Sequence, residues 1–138
     1  MRKEALEKIA AFIAEHHVLT LATAAESVPY CAPLFYAYDR ERNCFVFASD
    51  EATEHARQMT EQPFVGAAIH LETSVVGKIQ GLQISGRVFR SDKEDVRCYF
   101  QTFPYARAMN PTLWRLQPRR MKLTDNRLGF GKKLVWEA

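Results

Sequence analysis

The stretch from Pro29 to Arg57, PYCAPLFYAYDRERNCFVFASDEATEHAR, fixes most of what this chain can become. It holds two hydrophobic strands, one polar turn and a helix start, with no room between the strands for a crossover helix. Strands joined so closely pair antiparallel. The first, Pro29 to Tyr38, puts Tyr30, Ala32, Leu34, Tyr36 and Tyr38 on one face. The turn from Asp39 to Asn43 carries charge and turn chemistry but no core former. The second strand, Cys44 to Ser49, is aromatic and β-branched. At Ser49-Asp50 the pattern switches to a helix from about Ala52 to Thr60. Hydroxyls and unpaired backbone N–H groups at a helix start suit an anion such as a phosphate. Ser49, Asp50 and Thr53 serve equally well as helix caps, and the residues alone leave both roles open.

Around this stretch the chain alternates short strands with short helices. Leu6, Ile9, Ala10 and Ile13 recur at helical spacing and predict a first helix over residues 2–16. His16-His17 ends it, suited to the negative end of the helix dipole; adjacent histidines face different ways and make a poor metal pair. Val18 to Ala24 reads as a strand with small residues late, and Glu26-Ser27 as a turn. Gln62-Pro63 stops the second helix. Phe64 to Leu71 is a strand thinned by Gly66, Ala67 and Ala68. His70 and Glu72 share a face there, a spacing more in keeping with a rim pair than with metal ligands. Lys78 to Arg90 is a long strand whose two interior glycines, Gly81 and Gly86, mark a bulge, a bend or a close backbone approach. Ser91-Asp92 opens a helix to about Thr102. Helical turns are expected over Tyr105–Asn110 and from Pro111 through Leu116, with Pro118 a further break. Arg119 to Thr124 is a strand, Asp125 to Arg127 a turn, and Lys132 to Trp136 a last strand or extended tail.

The count is roughly six or seven strands and three or four short helices, paired with sequence neighbours. The expected fold class is therefore α+β, mainly β: an antiparallel barrel-like sheet with short peripheral helices, in one domain over residues 1–138. The 47% hydrophobic and 25% charged fractions are those of an ordinary globular chain. A net charge of +3 without a basic stripe argues against nucleic acid. No apolar run reaches a membrane span, and the start lacks a signal-peptide core. Cys31, Cys44 and Cys98 show no CxxC spacing and point to free thiols in a reducing cytoplasm. Cys31 and Cys44 are placed on facing strands, which leaves a disulfide open though disfavoured. Nucleotide loops, a nucleophile elbow and a recognisable carboxylate pair are all absent.

The ordered series LTLAT, P-x-C-A-P-L-F-Y, F-V-F-A-S-D with a following Thr, Q-G-L-Q-I-S-G-R-V, Y-F-x-x-F-P, L-W-R-L-x-P-x-R-M-K-L-T-D and G-F-G-K-K resembles the FMN-binding split barrel of the pyridoxamine 5'-phosphate oxidase superfamily. Within it the chain is most similar to the small bacterial YhbP-like branch. The resemblance covers nearly the whole chain and implies an antiparallel split β-barrel and a homodimer with FMN at the subunit interface. It places the strand holding Ala32, Pro33, Leu34 and Phe35 along the flavin, its backbone toward the ring edge. It places Ala48, Ser49, Thr53 and His55 around the ribityl phosphate. Gln80 and Gln83 are implied to reach the flavin, and Lys132, with Lys133 and Trp136, to line the partner's site.

Three departures from the family pattern bear on cofactor and substrate. Many relatives carry Lys or Arg-Lys where this chain has Glu54-His55, with Arg57 and Lys78 as candidate replacements. The Arg-Gln-x-Arg stretch of the oxidases is here Gln80-Gly81-Leu82-Gln83. Their terminal Arg-Leu-His-Asp-Arg signature is missing, which argues against vitamin B6 phosphate as substrate. The resemblance thus implies an FMN-binding oxidoreductase acting on an unidentified small molecule. The alternatives are a non-catalytic flavin or haem binder, or a dimeric scaffold with a vestigial cofactor cleft. No catalytic residue and no metal site is assigned.

Overall fold

The computed structural model describes residues 2–138. Helix α1 (Arg2–Glu15) leads into strands β1 (Val18–Ala25), β2 (Val28–Phe35), β3 (Ala37–Asp39) and β4 (Cys44–Ala48). Helix α2 (Glu54–Glu61) follows, then β5 (Phe64–His70), β6 (Gln80–Arg90), α3 (Lys93–Thr102), β7 (Leu113–Asp125) and β8 (Lys133–Glu137). The strands form one sheet in the order β2-β1-β5-β6-β7-β4-β3, with β8 beside β7, and every pairing is antiparallel. β4 occupies one edge of β7 at its start and β8 the same edge at its end. The sheet curls into a half-barrel that is open where these two strands part. This is the split β-barrel expected from the ordered motifs.

The core follows from strand periodicity. Leu19 and Leu21 of β1, Phe45 and Phe47 of β4, Leu82 and Ile84 of β6, and Leu116, Met121 and Leu123 of β7 point inward, and α1 adds Ile9, Phe12 and Ile13. The opposite face of β4 is buried too: Val46 packs with Ala37, Tyr99 and Leu113 beneath α3. A strand covered on both faces needs an unbroken apolar run, which Cys44-Phe-Val-Phe supplies. Glu26 and Ser27 have φ of 53° and 66°, the two left-handed positions of a tight hairpin turn between β1 and β2.

Five expectations are corrected. Pro29 to Tyr38 is not one strand: the chain changes partner at Tyr36, with β2 pairing β1 and only β3 pairing β4. Tyr36 makes the corner, its N–H donating to His17 O at 3.1 Å and its hydroxyl to Ile13 O at 2.6 Å. Cys31 therefore lies opposite Ala22 and Cys44 opposite Asp39, so the two thiols do not face each other. The stretch from Pro111 to Leu116 is no helix; Leu113 begins the longest strand of the fold. Pro118 does not break that strand but sits opposite Gly86 at a β-bulge, where its missing N–H costs no ladder bond. Lys78 belongs to a 3₁₀ turn (Val76–Lys78) before β6 rather than to the strand.

All three cysteines are free. Burial pushes the Cys44 thiol up to about 12 and that of Cys98 up to about 11, whereas Cys31 is exposed. Ellman's reagent is expected to titrate one thiol per chain promptly in the native protein and the other two only on unfolding. Loss of the prompt phase in Cys31→Ser identifies it; a prompt phase that survives overturns this assignment.

Candidate functional site

The anion-like cluster of the sequence forms at the end of β4. The Ser49 N–H donates to Thr112 O at 3.0 Å, and the Trp114 indole N–H donates to Ser49 O at 2.9 Å. Both tie the strand end to the start of β7. The chain then turns: the Asp50 carboxylate accepts from Ala52 N–H at 2.8 Å, and Asp50 O accepts from the Thr53 hydroxyl at 2.7 Å. Thr53 caps α2, accepting from Ala56 N–H at 3.3 Å. The first intrahelical bond from the cap runs from Arg57 N–H to Thr53 O. The N–H groups of Glu54 and His55 therefore precede it, as at any helix start.

His55 closes the cluster. Its Nε2 lies 2.8 Å from the Ser49 hydroxyl and 3.4 Å from that of Thr53. Burial lowers its pKa below the usual 6.5, so at neutral pH the imidazole is uncharged. It acts as a hydrogen-bonding partner that orients two hydroxyls, not as a cation. At its other end α2 is moored by Gln58, whose amide accepts from the Thr23 hydroxyl at 2.7 Å and donates to Val28 O at 3.4 Å. A cavity of about 240 Å³ opens beside Ser49, Asp50, Asn110 and Thr112.

The cation that the sequence failed to supply is Arg90. The β6–β7 register sets Arg90 opposite Trp114, and its guanidinium lies 4.0 Å over the indole ring. It pairs with Glu51, in the turn that leads to α2, at 2.5 Å. Trp114 thus joins a positive charge on one side to the Ser49 carbonyl on the other. Neither earlier candidate does this: Arg57 pairs with Glu54 and Glu61 on its own helix, and Lys78 lies at the far end of β6. Two hydroxyls, two helix-start N–H groups and a neighbouring guanidinium fit a phosphate monoester, and the two carboxylates in the turn are both engaged, Asp50 with the Ala52 N–H and Glu51 with Arg90.

The remaining candidates divide by face and by end. β2 is an edge strand, so one row of its backbone groups has no strand partner. Ala32 and Leu34 turn inward, whereas Pro33 and Phe35 are exposed. Ala48 is the last residue of β4 and leads into Ser49. Gln83 is exposed, Gln80 buried on the opposite face of β6, and Lys132 exposed before β8. Gln80 pairs in register with Asp125, ten residues down the ladder from Arg90 and Trp114, or about 33 Å at strand rise. Within one chain, then, Gln80 and Lys132 do not meet Ser49 and His55. Among the described residues no group of three or more His, Cys, Asp or Glu side chains is placed to hold a metal. No described helix is long and apolar enough to cross a membrane.

Comparison with known proteins agrees with this architecture. The model of the family described as pyridoxamine 5'-phosphate oxidase matches residues 5–125. A UPF0306 protein of Cronobacter sakazakii is 38% identical over 96% of this chain and 95% of its own length. UPF0306 protein YhbP of Escherichia coli O157:H7 is 33% identical over 96% of this chain and 93% of its own. Among solved structures, a haem-binding protein from Mycobacterium smegmatis superposes with a TM-score of 0.80 at 19% identity, over 96% of this chain and 57% of that one. An FAD-binding protein from Mesorhizobium loti gives 0.71 at 15% identity, over 85% and 90%. At such identities the likeness is one of fold.

Proposed function

The chain belongs to the pyridoxamine 5'-phosphate oxidase family, and from that premise we propose that it is an FMN-binding flavoprotein, an oxidoreductase acting on a small molecule in the cytoplasm. The observation that carries this reading is the convergence of Ser49, Thr53 and His55 on one helix start, with Arg90 beside it. Ser49 holds the phosphate through its hydroxyl and Thr53 through its own once that proton turns from Asp50 O, the N–H groups of Glu54 and His55 hold it through the helix start, and Arg90, shared with Glu51, balances its charge. The free backbone edge of β2, with Pro33 and Phe35, lies along the ring system. When bound, FMN supplies the redox chemistry, and the protein binds, orients and shields it.

The reading also takes the active unit to be a homodimer. Phe35, Tyr105 and Met109 are 62%, 93% and 80% exposed, an apolar surface that a second copy covers. Pairing of two chains is what brings outward-facing residues such as Gln83 and Lys132 near the partner's cofactor. The missing oxidase signatures keep vitamin B6 phosphate out of the proposal.

The test is titration of the purified protein with FMN, read by quenching of flavin fluorescence. Saturation at one FMN per chain is expected. Arg90→Gln and Thr53→Ala are each expected to weaken binding about tenfold or more, the loss of one charge-assisted contact. A circular dichroism spectrum guards against the cost of the lost Thr53 cap. Unchanged affinity in both variants overturns the phosphate assignment. A Soret band on adding haem, without FMN quenching, moves the reading to haem.

A further inference from the structure

A second cavity, of about 210 Å³, lies between α1 and the far ends of β6 and β7. Gln80 lines it. This residue is 7% exposed, and its side-chain amide bonds to no other described residue but is open to the cavity rather than sealed from water. Its backbone carbonyl accepts from Leu71 N–H at 2.9 Å. A primary amide offers two donors and a two-lone-pair acceptor, and this one presents them to the cavity. The strand puts this amide inward, where a leucine would satisfy the packing.

The charges around the cavity cancel. Arg127 donates twice to the Asp125 carboxylate, at 3.0 and 2.8 Å. Lys8 and Glu15 of α1 supply one charge of each sign. Phe12, Leu123 and Leu134 give it an apolar lining. A cavity with no net charge, one open amide and an aromatic and aliphatic lining selects against an inorganic anion or a strongly charged metabolite. It favours an organic molecule with a group that both donates and accepts.

We propose that this cavity is a binding site for a small neutral carboxamide with an aromatic or branched body, its amide paired reciprocally with that of Gln80 and its body on Phe12, Leu123 and Leu134. The site lies at the opposite end of the β6–β7 ladder from Ser49 and does not depend on the flavin reading.

Benzamide is the probe. Titrated into the full-length, isotopically labelled protein, it is expected to shift the Gln80 side-chain NH₂ signals saturably, together with backbone signals of α1 and the end of β7. Gln80→Leu keeps the volume and removes the amide, and is expected to weaken binding about tenfold. Should that variant fail to fold, Ala11→Trp carries the test: Ala11 is an exposed lining residue on α1, and a large ring there closes the cavity. Ala11→Trp is expected to abolish the benzamide shifts and leave the FMN titration as it was. The proposal is overturned by shifts that miss Gln80, by binding that survives both variants, by benzoate binding as well as benzamide, or by no shift at near-millimolar probe, which would leave water as the amide's partner.

Discussion

Gly86→Ala is expected to destabilise the protein by about 3 kcal/mol, lowering Tm by roughly 10 °C. A Cβ built on Gly86 runs into the carbonyl oxygen of Gln117. It also comes within 3.0 Å of the Gln117 carbonyl carbon and of Leu116 Cδ1. Two of these three atoms are backbone, in the middle of the longest ladder of the sheet, so neither can move aside alone. The close approach belongs to the bulge: Ser85 pairs with Arg120 and Gly86 with Pro118, leaving Arg119 as the extra residue. Adding one methyl group therefore forces the bulge open or slides the register, and a slide of one residue turns the inward face outward. Gly81→Ala is the internal control. It lies on the same strand with nothing within 4 Å of a Cβ, so it is expected to be neutral or slightly stabilising. Thermal unfolding of the two variants separates them; equal melting temperatures would show that the bulge tolerates a side chain.

The same bulge explains which parts of the fold were legible in the sequence. The strand beginning at Cys44 could be read because its residues are apolar without a break and its end is marked by Ser49-Asp50. The helix after it could be read because Thr53 is a good cap. Only the second half of β7, from Arg119, could be read as a strand; the first half could not, because the inward residues change phase along it. Trp114, Leu116 and Pro118 point in on even numbers, then Met121, Leu123 and Asp125 on odd ones. The extra residue at Arg119 breaks the period of two, and two prolines flanking the first half imitate the ends of a short helix. Tyr36 hid a second break: its aromatic side chain continues the alternation of β2 while the backbone leaves for another partner. At the candidate site, the hydroxyls and His55 are close in sequence and were found together. Arg90 and Trp114 were not, because only the long β6–β7 pairing brings them to Ser49. Gln80 and α1 meet for the same kind of reason, through strand order rather than local pattern.

Asp95→Ala is expected to cost about 3 kcal/mol or more, the loss typical of breaking a buried ion pair from one side. Asp95 has no solvent-exposed side-chain surface. Its carboxylate accepts from Arg42 at 3.1 Å, from Arg115 at 3.0 Å and from Asp92 N–H at 2.9 Å. Asp92 answers by accepting from Asp95 N–H at 2.9 Å, so the two residues also form the capping box that starts α3. Removing the Asp95 carboxylate leaves the mostly buried Arg115 with only the exposed Asp92 as a counter-charge. Loss of a helix cap alone costs about 1 kcal/mol, so the size of the effect decides which role dominates. Asp95→Asn, which keeps one acceptor and loses the charge, is expected to fall between wild type and Asp95→Ala. Adding Arg115→Met to Asp95→Ala is expected to recover part of the loss, because the stranded charge goes with it. A loss from Asp95→Ala near 1 kcal/mol, unrelieved by Arg115→Met, would reduce Asp95 to a cap. Acid gives an independent reading of this cluster and of the separate Asp125–Arg127 pair. Asp92 is held below its usual 3.8, first by the Asp95 N–H and then by Arg42, and Asp125 is held below 3.8 by Arg127. Because the folded state binds these protons less readily than the unfolded chain, their contribution is complete above about pH 3.8 and drains away as pH falls through the lowered folded values. Asp95→Ala keeps the backbone N–H that lowers Asp92 but starts from a less stable fold, so its acid unfolding is expected to begin at higher pH than that of the wild type.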